Sequence, residues 1–146
     1  MKISGTAGAI LSHKGRQVYS IPPDATVFEA IQLMAEKNVG ALLVMSEEKL
    51  VGVISERDYT RKVALKGRSS RETKVREIIS SPVVSVTSSH SVEECMRLMT
   101  TNRVRHLPVL EAEKLVGIVS IGDLVNWTIS VQDAAIEQLE RYISGR

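Results

Sequence analysis

Displacing the chain by 65 residues lays it over itself. From Thr26–Tyr59 onto Ser91–Leu124 no gap is needed and 14 of 34 positions are identical, where unrelated sequence gives roughly two or three. Val27/Val92, Glu29/Glu94, Met34/Met99, Leu42/Leu107, Gly52/Gly117, Ser55/Ser120 and Asp58/Asp123 are among the pairs. In a chain of 146 residues, two such copies account for nearly all the structure, so the fold has to be a duplicated unit.

Each copy reads as the same run of elements. A short apolar strand (18–21, then 83–86) leads to Thr26 or Ser91. These hydroxyls stand three residues before Glu29 and Glu94, the spacing that satisfies the free donors of a helix start. Val27, Ala30, Ile31 and Met34 then keep the i, i+3, i+4, i+7 spacing of a buried stripe, as do Val92, Cys95, Met96 and Met99. Cys95 is therefore expected in the core, and Met34, Met96 and Met99 in the core or a helix–helix interface. Two apolar, β-branched runs around a polar turn follow in each copy (41–45 and 50–54; 107–110 and 115–119) and read as strands. A second helix starts after Ser55 and after Ser120, the first of them ending near Gly67.

The expectation is an α/β (α+β) fold of two β-α-β-β-α repeats, at residues 10–66 and 83–128, joined by a connector at 67–82. Neither copy is long enough to cover both faces of its sheet, so the two should pack about a pseudo-twofold axis. Val131, Ala135, Leu139 and Ile143, or Ile136 with Leu139, predict a C-terminal amphipathic helix over 129–146, with Trp127 and Tyr142 as packing anchors.

Composition excludes several classes. With 43% hydrophobic and 25% charged residues the chain is globular. One cysteine makes no internal disulfide, and His13, His90 and His106 have no ligand spacing, so no metal site is expected. No apolar run is long enough for a membrane span or a secretory signal, and a cytoplasmic setting follows. Residues 57–76 hold eight cationic and two acidic side chains, leaving that stretch at +6 and the rest of a +2 chain at −4. Aromatic residues, at 3%, are too few to stack single-stranded bases.

Gly52-Val53-Ile54-Ser55-Glu56-Arg57-Asp58 and Gly117-Ile118-Val119-Ser120-Ile121-Gly122-Asp123 resemble the closing motif of the cystathionine-β-synthase (CBS) domain. Arg105-His106-Leu107-Pro108-Val109 is similar to the family's second-strand motif. The resemblance, to a tandem CBS pair or Bateman module, covers about residues 10–128. It implies a regulatory protein, commonly a homodimer. It also implies an adenosine ligand whose ribose hydroxyls are held by Asp58 or Asp123, whose phosphate lies near Ser55 or Ser120, and whose base is flanked by Ile21 or Val86. Gly40-Ala41 stands where the second copy has Arg105-His106, so the two sites are not equivalent.

The same residues also have plainer readings. Ser-x-x-Asp before a helix is a capping box, structural wherever it stands alone. Two of them at one offset present free amides and a positive dipole end for phosphate, and a carboxylate for a cis-diol. Gly52 and Gly117 leave room for a ligand beside the strand. Arg57 and Arg61 share a helix face and are expected to reach the phosphate, whereas Lys66, Arg68, Arg71 and Lys74 read as a solvated loop. His106 and Pro108 lie on one strand face, with Arg105 on the other. His106 either contacts ligand in the second site or is satisfied by a carbonyl, and Arg105 is a reserve phosphate donor.

Neither serine has a histidine placed as its base and the aspartates are single, so no catalytic residues are expected. The reading is a sensor of AMP, or of NAD(H), ADP or ATP, that requires no cofactor and signals to an unknown regulated partner. Its rivals are nucleic-acid binding through residues 57–76, which is disfavoured, and a ligand-free dimerisation scaffold.

Overall fold

The computed structural model describes residues 4–79 and 83–143. The end of the expected connector (80–82) and of the expected tail (144–146) lie outside the described residues. The elements are α1 (Ala7–Lys14), β1 (Ser20–Ile21), α2 (Val27–Lys37), β2 (Ala41–Ser46), β3 (Lys49–Ser55) and α3 (Glu56–Tyr59), which runs into a π-helical turn, Thr60–Ala64. After a 3-10 turn at Val75–Glu77 come β4 (Val86–Thr87), α4 (Val92–Asn102), β5 (His106–Glu111), β6 (Lys114–Ser120) and α5 (Ile121–Ile143). The architecture is mixed α/β, with two three-stranded sheets ordered β1-β2-β3 and β4-β5-β6.

The duplication holds down to the register. In each sheet the outer strand pairs parallel with the middle one, and an antiparallel hairpin completes it. Val44 lies opposite Gly52 as Val109 does opposite Gly117, and both middle strands bulge at the next residue. Capping boxes form at Thr26/Glu29 and Ser91/Glu94, and both helices end on a left-handed residue, Asn38 and Arg103.

The compact units, however, are not the linear repeats. One is Gln17–Val83; the other joins Met1–Arg16 to Val84–Arg146. The segment that precedes each repeat completes the unit of the other. In the second unit Ala7, Ile10 and Leu11 enter the core, and the Ala7 and Gly8 amides donate to the His90 and Ser88 carbonyls, each at 2.9 Å. In the first unit Val75 and Ile78 do the same, with the Val75 and Arg76 amides donating to Ala25 and Pro23, each at 2.9 Å. These segments correspond at an offset of 68, with Ile10/Ile78 the identical pair among the core positions. Residues 73–79 are thus core structure rather than connector: an apolar sheet face left uncovered by α2 alone recruits them.

Nor is the C-terminal helix separate from the second repeat. Residues 123–143 contain neither glycine nor proline, so α5 continues unbroken to Ile143. In the first copy the π-turn and Gly67, at φ 68, stop the equivalent helix early. Trp127 anchors α5, its indole N–H donating to the Ser4 carbonyl at 2.8 Å. Tyr142 is 85% exposed and anchors nothing within its unit.

Candidate functional site

Both closing motifs end a strand on serine and open a helix three residues later on aspartate. The Ser55 amide and hydroxyl donate to Asp58 Oδ2 at 2.9 and 3.0 Å, and the Asp58 amide donates back to Ser55 Oγ at 3.2 Å. The Ser120 amide donates to Asp123 Oδ2 at 2.8 Å, and the Asp123 amide to Ser120 Oγ at 3.1 Å. Each carboxylate is therefore already a cap, held at the end of its sheet and a quarter or less exposed.

A lysine completes each group. Lys62 Nζ lies 3.3 Å from Asp58 Oδ1 and donates to the Ile78 carbonyl at 2.8 Å. Lys14 Nζ lies 2.7 Å from Asp123 Oδ2 and donates to the Ile118 carbonyl at 3.0 Å. Neither lysine was expected against the aspartates. The four-residue spacing of Asp58 and Lys62 on a helix was a legible signal. Lys14, 109 residues from Asp123, left none.

The remaining candidates separate. His106 is half-buried and stands opposite Ser120 in the β5–β6 register, and Pro108 is buried opposite Ile118. Arg105 is exposed; its carbonyl accepts the Ile121 amide at 2.9 Å, as the Gly40 carbonyl accepts that of Glu56 at 3.1 Å. Arg57 is half-buried and Arg61 exposed, and it is Lys62 that faces Asp58. Ile21 and Val86, at 7% and 2% exposure, belong to the two cores, which confines any contact with a base to those small remainders.

The glycines serve a different purpose from the one expected. A Cβ on Gly52 would meet Ile79, and one on Gly117 would meet Leu11, each at 2.7 Å. The space beside the strand is filled from within the unit. A groove of about 430 Å³ does exist in the first unit, lined by Ile31, Met34, Asn38, Val39, Glu56 and Tyr59 among others. It runs between α2 and α3 and does not include Ser55 or Asp58 in its lining.

The basic stretch is not a bare solvated loop. Arg68 pairs with Glu77 and Arg76 with Asp24, both at 2.6 Å, while the Arg71 guanidinium sits 3.8 Å over the Phe28 ring. Cations so engaged are poorly placed to track a phosphate backbone. Among the described residues no three His, Cys, Asp or Glu side chains gather as a metal-ligand group, and no helix is long and apolar enough to cross a membrane.

Comparison with known proteins agrees with the duplication. A family model for the CBS domain matches residues 11–65 and 75–130. The mitochondrial CBS domain-containing protein CBSX3 of Arabidopsis thaliana is 41% identical over 127 residues, which are 84% of this chain and 62% of that protein. The CBS domain-containing protein YhcV of Bacillus subtilis is 37% identical over 108 residues, 74% of this chain and 76% of that one. Among solved structures, a protein with CBS domains from Burkholderia ambifaria superposes with a TM-score of 0.83 at 49% identity, covering 86% of this chain and 94% of its own. The chain thus spans less than two thirds of the Arabidopsis relative and about three quarters of the Bacillus one.

Proposed function

This chain belongs to the CBS-domain family, with two copies of the domain, and from that premise we propose that it is a regulatory sensor of adenine nucleotides, AMP first among them. The observation that supports the reading is the recurrence, at one offset of 65 residues, of a strand-end serine and a helix-start aspartate joined in a capping box. In this reading Asp58 and Asp123 take the ribose hydroxyls, and Ser55 and Ser120 with the following amides lie near the phosphate. Arg57 and Arg61 serve the phosphate in the first site, Arg105 and His106 in the second. Ile21, Val86 and Pro108 border the base. The serine hydroxyls are engaged as helix caps, and in this reading the role is binding rather than catalysis.

Titration calorimetry with AMP, ADP, ATP and NADH tests this. Asp58→Ala and Asp123→Ala are each expected to weaken one site by about 1.5–3 kcal/mol, the value of a lost charged hydrogen-bond pair. Because these aspartates also cap helices, Glu94→Ala is the control: it loses a cap at a position outside the proposed site and should bind as the parent does. Unchanged affinity in both aspartate variants sinks the reading, and absence of any thermal shift with adenine nucleotides favours a ligand-free scaffold.

The sensor acts as a homodimer in this proposal. Along α5, Ile121, Val125, Ile129, Ile136, Leu139 and Ile143 form one apolar stripe, 39–82% exposed in the single chain. Ile129→Glu with Leu139→Glu should reduce the mass measured by light scattering from dimer to monomer. A regulated partner would read the ligand-bound shape, with a coupling no larger than the ligand's preference for it.

A further inference from the structure

The group that neither the fold nor the proposed site accounts for is the Lys14 ammonium. Lys14 ends α1, just before the cap Gly15, whose amide donates to the Leu11 carbonyl at 2.8 Å. Its Nζ is fastened to Asp123 Oδ2 at 2.7 Å and to the Ile118 carbonyl at 3.0 Å. Asp123 Oδ2 also accepts the Ser120 amide at 2.8 Å. A carboxylate oxygen offers two lone pairs, so both on Oδ2 are in use.

A vicinal diol grips a carboxylate through one hydroxyl on each oxygen, and therefore needs a lone pair on Oδ2. Of the two donors already there, the Ser120 amide is fixed by the start of α5. The ammonium rides on a flexible four-carbon stem, part-exposed, and is the one free to leave. In the first unit Asp58 Oδ2 is filled by the cap alone, the Ser55 amide at 2.9 Å and hydroxyl at 3.0 Å. There it is the Ser55 hydroxyl that can rotate away, while Lys62 sits on Oδ1 at 3.3 Å. Lys62 follows Asp58 by four residues in one helical run, whereas Lys14 reaches Asp123 from a separate helix, α1.

Resting on the nucleotide-binding reading above, we propose that Lys14 is a built-in competitor at the second site. A ligand that takes Asp123 through its ribose hydroxyls displaces the ammonium and so unfastens the last turn of α1. Ala7, Ile10 and Leu11 stay in the core, which limits the change to that turn and makes it the local signal of occupancy.

Lys14→Met keeps the stem and removes the charge. It is expected to bind AMP about two- to fivefold more tightly, the factor that follows from losing a part-exposed ion pair. Lys14→Arg, which keeps the charge, should bind as the parent does. Hydrogen exchange supplies the second readout. In the parent, saturating AMP should speed exchange of the Gly15 amide. In Lys14→Met that amide should exchange fast from the outset, with no further change on adding AMP. Weaker AMP binding by Lys14→Met, or a Gly15 amide that ignores AMP in the parent, overturns the competitor. A parent that binds no adenine nucleotide overturns instead the reading beneath it.

Discussion

Gly117 in β6 faces Leu11 of α1 so closely that a methyl group at 117 would lie 2.7 Å from both Leu11 Cδ atoms and 3.2 Å from Cγ. Leu11 is 1% exposed, so its side chain has nowhere to turn. Gly52 and Ile79 repeat the relationship in the other unit, at 2.7 Å from Cδ1 and 3.1 Å from Cβ. Gly117→Ala should therefore destabilise by about 1–3 kcal/mol through overpacking, measured by urea unfolding. Leu11→Ala leaves a cavity by itself, yet placed on Gly117→Ala it relieves the clash. The double variant should be more stable than the sum of the two losses allows; simple additivity would contradict the contact.

The β2–β3 hairpin turns on Glu47 and Glu48, at φ 50 and 67, and its counterpart on Ala112 and Glu113 at φ 49 and 66. Two positive φ values make the turn whose twist matches the flanking strands, and glycine suits its second position. Glu48→Gly removes side-chain strain and one of two adjacent like charges. A gain of about 0.5–1 kcal/mol, after the entropic cost of glycine, is expected and should appear as a raised Tm. A lowered Tm would mean that Glu48 has a partner worth more than its backbone strain.

Cys95 takes the place of Ala30 on the buried stripe of α4 and is fully enclosed. Burial, reinforced by the neighbouring Glu94, pushes its thiol up to about 11. The native protein should thus react slowly with a thiol reagent at pH 8 and quickly once unfolded. The linkage has a definite sign: the unfolded chain gives up the thiol proton at a lower pH than the folded one. Stability should fall as pH rises from about 9 towards 11, and Cys95→Ala should flatten that fall. Rapid labelling of the folded protein would place the thiol at the surface.

The capping boxes, the helix stripes and the hairpin turns were legible in the sequence because each depends on neighbours within a few residues, and the repeat because it runs ungapped at one offset. Thr26 with Glu29, and Asp58 with Lys62, are contacts of that kind. What stayed hidden depends on distance along the chain. Leu11 reaches Gly117, and Lys14 reaches Asp123, across more than a hundred residues. Apart from Ile10/Ile78, only apolarity is kept between the segments that cover the two sheets, and at an offset of 68 rather than 65, so a comparison by identity passes over Ala7/Val75 and Leu11/Ile79. Hence residues 73–79 read as a connector, and Gly52 and Gly117 read as room for a ligand rather than for a neighbouring side chain. The run of α5 past residue 129 rests on an absence of helix breakers, which a boundary drawn from the repeat length overlooks.

Glu94 offers the complementary test at acid pH. Its carboxylate accepts the Ser91 amide at 3.0 Å, and that backbone hydrogen bond, followed by one from the Ser91 side chain, holds it below the usual carboxylate range. A depressed folded value means the contribution is present above the ordinary glutamate pKa and is lost as pH falls through the folded one. Glu94→Gln still offers an acceptor to the Ser91 amide, as the capping box allows, but has no proton to gain. Near neutrality the variant should be no more stable than the parent. Between about pH 5 and pH 3 the parent should lose stability faster, so the two denaturation series converge on acidification. Glu77, held down first by the Lys74 amide, and Glu111, held down first by Ser88, keep their own acid sensitivity in both proteins. What distinguishes the series is therefore the difference in slope. Parallel curves would show that the Glu94 carboxylate does not carry the cap.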